Sequence, residues 1–101
     1  MFKAVILLTR RTDMTHEEFV RWWLDEHVTL ASGLPNVRRV VFNVVDEGYD
    51  EGGVDGVSEL WFDSRADFEA AYATEIGKAT AADSLAHVSG RVRLFVTENE
   101  L

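Results

Sequence analysis

The first strand-like segment, residues 2–9, restricts the fold most because it is apolar on both of its faces. Its sequence FKAVILLT is apolar at alternate and intervening positions, and only Lys3 and Thr9 interrupt the run. Successive side chains of a strand point to opposite faces, so this pattern is typical of a strand covered on both sides. We therefore expect a sheet with helices on one face and a second layer of protein on the other.

A helix with well-marked ends follows this strand. Thr15 can accept hydrogen bonds from the free N–H groups of the first turn, and Glu18 can reach back to the Thr15 backbone as a capping box. The segment Gly33-Leu34-Pro35 predicts the end of the helix.

Three further strands are predicted at residues 37–45, 57–62 and 91–98, where β-branched and aromatic residues are dense. The acidic, glycine-rich residues 46–56 between the first two predict a mobile loop.

A second helix is predicted after Ser64, which together with Asp67 forms its cap. Residues 75–87 are ambiguous, because alanines and a lysine favour helix whereas Gly77 and Thr80 weaken it. We expect only a short second helical segment there.

These elements follow the order βαββαβ of the ferredoxin-like split βαβ arrangement. The 101 residues suit a single α+β domain, residues 1–101, with a four-stranded antiparallel sheet and helices on one face. Two helices cannot cover both faces of such a sheet. A second copy of the same sheet is the simplest cover, so we expect a two-fold homodimer.

Composition excludes several classes of function. The chain has no cysteine, which excludes disulfides and thiol chemistry and suits a cytoplasmic protein. A net charge of −8 without a basic stripe argues against nucleic acid as a partner, and no apolar run is long enough for a membrane span. We find no phosphate-binding glycine loop, serine-hydrolase motif or metal-ligand spacing, and expect no metal and no cofactor.

His27 is the first candidate for chemistry. Helical periodicity places it on one apolar face with Phe19, Trp23 and Leu30. A buried imidazole can act as a general acid or base, or can be a core histidine bonded to a backbone carbonyl. The spacing alone leaves both readings open.

Glu59 is the second candidate, because it shares a strand face with apolar neighbours and therefore needs a partner. It can be catalytic, or it can form a structural ion pair with an arginine of another strand. Asn43 can donate to a substrate carbonyl or bond across strands. The available arginines are Arg38, Arg39, Arg91 and Arg93.

The other histidines and the large aromatic side chains are weaker candidates. His16 falls opposite the apolar face and is expected to face solvent, while His87 precedes the last strand and can close over a pocket or simply end a turn. Trp22 lies at the edge of the apolar face and can meet a partner subunit or a lid. Three rings can line a substrate cavity or merely fill the core: Trp23, Trp61 and Tyr72.

Residues 14–41 resemble the EthD family, whose usual helix has the pattern E-F-x-x-x-W-x-x-x-H followed by L-P and a strand. Residues 55–72, DGVSELWFDSRADFEAAY, and residues 91–98, RVRLFVTE, look like the third strand, second helix and last strand of that family. The matching positions of the helix motif are Glu18, Phe19, Trp23, His27, Leu34 and Pro35.

The resemblance implies a dimeric α+β barrel with a cavity between the helices and the sheet of each monomer. It also implies kinship with polyketide cyclases, methylmuconolactone isomerase, cofactor-free monooxygenases and haem-degrading proteins. One departure is that Val40 and Phe42 stand where relatives often carry a tyrosine and a polar residue on strand 2. This predicts a more apolar cavity, lined in part by Phe42, without that phenol.

The resemblance and the position of His27 together favour a small enzyme of oxidoreductase, cyclase or isomerase type that uses His27 on a hydrophobic, aromatic or carbonyl-bearing metabolite. The alternative is a non-catalytic protein that binds such a compound for a degradation pathway. Haem binding through His27 is a third possibility.

Overall fold

The computed structural model describes residues 1–48 and 51–101. A four-stranded antiparallel sheet is combined with helical segments, as predicted, and the strand order is β2-β3-β1-β4. In chain order the elements are β1 (Phe2–Arg10), α1 (His16–Trp22), a π-helical turn (Trp23–His27), α2 (Val28–Ala31), β2 (Arg39–Val44), β3 (Gly56–Phe62), α3 (Arg65–Ala73), α4 (Glu75–His87) and β4 (Val88–Val96).

The helix starts follow the sequence signals. The Thr15 side chain accepts from the Glu18 backbone at 3.0 Å, and the Glu18 carboxylate accepts from the Thr15 N–H at 2.9 Å. Ser64 accepts from the Asp67 backbone at 3.1 Å. Both predicted caps are therefore confirmed.

The segment at 75–87 differs from the prediction, because it forms the 13-residue helix α4. Thr74 caps it by accepting from the Gly77 N–H at 3.1 Å. A Cβ at Gly77 would collide with the Ala71 carbonyl oxygen, so this glycine permits close packing of α4 on α3. Gly77, which weakened the helix prediction, is therefore required for the packing of α4 on α3.

The last strand is also displaced from its predicted range of 91–98. Helix α4 runs directly into β4, which begins at Val88 and ends at Val96 opposite Lys3. Of the predicted loop 46–56, Gly56 belongs to β3, while Tyr49 and Asp50 lie outside the described residues.

The two faces of the sheet have different surroundings. On β1, Ala4, Ile6 and Leu8 face the helices and are buried. They join one hydrophobic core with side chains of α1, the π-helical turn and α3, including Phe19, Trp22, Trp23, Phe68 and Ala71.

The opposite face, here called the open face, is not covered by any helix of residues 1–48 and 51–101. Val5 pairs with Leu94 and Leu7 with Val92, and these two β4 side chains are 45% and 55% exposed. Glu59 lies on this face beside Lys3, which explains its position among apolar neighbours.

Every helix among the described residues is too short or too polar to serve as a membrane span.

Candidate functional site

The π-helical turn at Trp23–His27 carries His27, whose side chain lines a pocket between the helices and the sheet. Such turns add a residue to the helical repeat and often occur at functional sites. Trp22 and Trp23 are consequently both buried, and His27 is only 4% exposed. The prediction that Trp22 lies at an edge is therefore wrong, because it contacts the rings of Phe19, His27 and His87.

Asp83 and Ser84 of α4 hold the two nitrogens of the His27 ring. Nδ1 lies 2.8 Å from Asp83 Oδ2, and Nε2 lies 3.2 Å from Ser84 Oγ. Because a carboxylate only accepts hydrogen bonds, the neutral ring donates from Nδ1, and its unprotonated Nε2 accepts from the Ser84 hydroxyl. Trp22 Nε1 also donates to Asp83 Oδ2, at 3.1 Å, and so fixes the carboxylate.

The environment of His27 keeps the ring neutral. Burial lowers the pKa of His27 below its ordinary value, and the nearby His87 adds slightly to this effect, whereas Asp83 opposes it. The imidazole is therefore in its basic form at neutral pH. This meets the requirement for a general base.

A pocket between the helices and the sheet reaches His27. About 420 Å³ of this pocket is not filled by protein atoms, and part of that space is open to solvent, so the room for whole molecules inside it is small. A ligand larger than about one or two waters therefore requires side chains to move. Aromatic walls come from Trp23, Phe42 and Tyr72, and polar lining from His27, Ser58, Thr80, Ser84, Arg91 and Arg93.

The pocket contains a phenol, although strand 2 lacks one. Tyr72 of α3 supplies it, and burial raises the pKa of Tyr72 while Arg93 and Arg91 partly offset this effect. The phenol thus remains protonated at neutral pH and can donate a hydrogen bond. With two arginines beside it, the pocket is more polar than the sequence predicted.

The structure brings together four of the candidate residues in this pocket: Trp23, His27, Phe42 and Tyr72. Trp23 stacks on Phe42 with ring centroids 4.3 Å apart. The ring of Phe42 also lies 6.1 Å from that of His27.

Three other candidates lie on the open face, away from this pocket: Glu59, Asn43 and Trp61. Glu59 pairs with Lys3 at 2.8 Å rather than with an arginine, and Asn43 donates to it at 3.1 Å. These hydrogen bonds lower the pKa of Glu59. Trp61 Nε1 donates to Glu98 at 2.8 Å.

The remaining two histidines have structural contacts. His87 stacks on Trp22 with centroids 4.2 Å apart, and its Nδ1 lies 2.8 Å from the Asp83 carbonyl oxygen. His16 was predicted to face solvent, but it is only partly exposed. Its Nδ1 lies 2.8 Å from the buried Asp55 carboxylate.

Sequence reasoning missed Asp83 and Ser84, and it considered Arg91 and Arg93 only as partners of Glu59. No local pattern linked α4 to His27, since the contacts span 56 and 57 residues. Strand parity could have separated the arginines from Glu59, because Arg91 pairs with Leu8 whereas Glu59 pairs with Val5. Among the described residues, no group of three or more acidic or histidine side chains forms a metal site.

The sequence is similar to a known domain family and to a known enzyme. A family model described as EthD domain matches residues 11–88. The 4-carboxymethyl-4-methylbutenolide mutase of Pseudomonas reinekei is 28% identical over 106 residues, with 97% of each chain covered.

Solved structures show the same fold. An EthD family protein from Bacillus halodurans has a TM-score of 0.81 at 18% identity, and the match covers 98% of this chain and 100% of that protein. A dimeric ferredoxin-like protein from Thermobifida fusca has a TM-score of 0.77 at 18% identity, covering 96% and 90%. The ferredoxin-like fold predicted from the sequence is thereby confirmed.

Proposed function

The chain belongs to the EthD domain family, and we propose that it is a small-molecule enzyme in which His27 transfers a proton. The single observation that carries the proposal is the pairing of the pocket-lining imidazole with a carboxylate. His27 Nδ1 lies 2.8 Å from Asp83 Oδ2, which leaves Nε2 as the basic atom.

The reaction that fits this arrangement is proton transfer at a carbon next to a carbonyl group. Neutral His27 removes the proton, and the imidazolium that forms is stabilised by Asp83 until the proton is returned. Tyr72 can donate a hydrogen bond to the carbonyl oxygen as negative charge develops there. Isomerisations and cyclisations of carbonyl compounds can proceed through such a step.

The lining of the pocket suits a small carbonyl compound with an apolar body, which would enter when the lining side chains move. Trp23 and Phe42 offer stacked aromatic walls, which supply most of the binding in ordinary ligand pockets. The relative from Pseudomonas reinekei is named for a butenolide that bears a carboxymethyl group. A lactone of this kind combines a carbonyl group with a compact body, so it is the first compound to test.

We also infer that the protein works as a homodimer joined through the open face. Val92 and Leu94 are apolar and about half exposed on that face. The Thermobifida fusca neighbour is described as dimeric, which supports the same assembly here. The pocket opens on the other side of the sheet and remains accessible.

Deuterium exchange tests the proposed proton transfer without knowledge of the final product. Carbonyl compounds, beginning with 4-carboxymethyl-4-methylbutenolide, are incubated with the protein in D₂O, and signals of protons next to carbonyl groups are followed by NMR. We expect catalysed loss of one such signal. His27→Gln should slow it by about 100-fold or more.

Glu26→Gln is the matched control, because Glu26 is exposed in the same helical turn. It should leave the rate unchanged. Wild-type rates in the His27→Gln variant would contradict the proposal. Saturable binding without exchange of any compound would instead support the ligand-carrying alternative.

A further inference from the structure

Arg91 and Arg93 form a pair of pocket arginines without an acidic partner among residues 1–48 and 51–101. On β4 they pair with Leu8 and Ile6, so both point to the helix side of the sheet. Both line the pocket that reaches His27. No described carboxylate oxygen lies within 4.0 Å of either guanidinium.

This arrangement is unusual for the chain, which has 18 acidic residues and a net charge of −8. The other arginines have attractive partners. Arg39 lies over the Trp61 ring, and acidic side chains lie within 4.0 Å of Arg10, Arg11, Arg21, Arg38 and Arg65.

The two pocket cations repel each other. Burial lowers the pKa of Arg91 and the neighbouring Arg93 lowers it further, whereas Tyr72 has the opposite effect. A bound anion would relieve this repulsion. A guanidinium matches the planar geometry of a carboxylate by donating two parallel hydrogen bonds.

We propose that Arg91 and Arg93 bind a carboxylate group of the substrate, whose class is therefore a small carboxylic acid with an apolar body. This proposal rests on the proposed function, because it concerns the same pocket. The carboxylate binds at the arginines, and the apolar body lies against Trp23 and Phe42. The reacting carbon is thereby oriented toward His27.

The test compares phenylacetate with phenylacetamide, which has nearly the same shape but no charge. Calorimetric titration at low ionic strength should show at least about tenfold tighter binding of phenylacetate, as expected for charge-assisted hydrogen bonds. The double substitution Arg91→Gln and Arg93→Gln should abolish this preference. Arg38→Gln removes the same type of charge from an exposed ion pair with Asp63 and should preserve it.

A second variant shows whether the double glutamine substitution removes the carboxylate site or unfolds the protein. Arg91→Lys with Arg93→Lys keeps both charges, so it should retain a reduced preference for phenylacetate. Equal binding of the two probes by the wild-type protein would overturn the proposal. Equal losses in the Arg38 and pocket variants, or equally tight binding of inorganic phosphate, would also overturn it.

Failure of the carboxylate-binding proposal can be distinguished from failure of the proton-transfer proposal. The His27→Gln variant should keep the phenylacetate preference although it loses exchange activity. Carboxylate preference without any exchange would contradict the proposed function alone. Exchange without carboxylate preference would contradict the arginine assignment alone.

Discussion

His27 shows how one side chain can be predicted in position but not in environment. Helical spacing placed the imidazole on an apolar face, and it is indeed buried. Its hydrogen bond to Asp83 depends on α4, which lies 56 residues later in the chain. The sequence therefore could not decide between a core histidine and a base held by a carboxylate.

Asp83→Asn should lower the pKa of His27, because the carboxylate is the group that raises it against the effect of burial. NMR titration of the imidazole should show protonation at lower pH than in the wild type. The less basic ring should also slow proton transfer by about tenfold or more.

Asp25→Asn is the control for that experiment, because Asp25 is exposed in the same π-helical turn. It should leave the His27 titration nearly unchanged. An unchanged or higher His27 pKa in the Asp83→Asn variant would contradict the role given to this carboxylate.

The helices show which elements the sequence could specify. Capping residues predicted the starts of α1 and α3, since a cap acts over three residues. The π-helical turn was not predicted, because helical periodicity does not reveal an extra residue; Trp22 and Trp23, where the turn begins, both belong to the core. Helix α4 was underestimated because Gly77 weakens a helix locally but permits its contact with α3.

Gly56→Ala should destabilise the contact between the π-helical turn and β3. A Cβ at Gly56 would lie 2.7 Å from two ring carbons of Trp23, whose ring is already stacked on Phe42. We expect a loss of about 1–3 kcal/mol in the free energy of unfolding, measured by urea denaturation.

Gly52→Ala provides a matched comparison, because its new Cβ would have its nearest neighbour, the Val54 Cγ2 atom, 3.9 Å away. It should change stability by less than about 0.5 kcal/mol. Equal effects of the two substitutions would show that the Trp23 contact is not the cause.

In the whole molecule, the sheet separates the pocket that contains His27 from the open face. The sequence predicted an uncovered apolar face from the composition of β1, and Val92 and Leu94 are accordingly exposed on β4. The sequence did not show which charged residues lie on which face of the sheet. Glu59 lies on the open face, whereas Arg91 and Arg93 line the pocket.

Leu94→Glu should weaken the inferred homodimer, because it replaces an exposed apolar side chain next to Val5 on the open face with a charge. Light scattering after size-exclusion chromatography should show a dimer for the wild type. The variant should have a dissociation constant raised by about tenfold or more.

Leu85→Glu makes the same change at a leucine of α4 that is 60% exposed and outside the open face. It should remain dimeric. A monomeric wild-type protein, or equal dissociation of both variants, would contradict assembly through the open face.

The pH dependence of deuterium exchange tests proton transfer by neutral His27. Because burial lowers the pKa of His27 below its ordinary value of 6.5, the free base predominates at neutral pH and is lost only as the pH falls further. We expect a constant kcat/KM for exchange near pH 7, a decrease on the acidic side below pH 6.5, and a rate lower by about 100-fold or more in the His27→Gln variant. A rate that rises as the pH falls, or an unchanged profile in that variant, would contradict this role of His27.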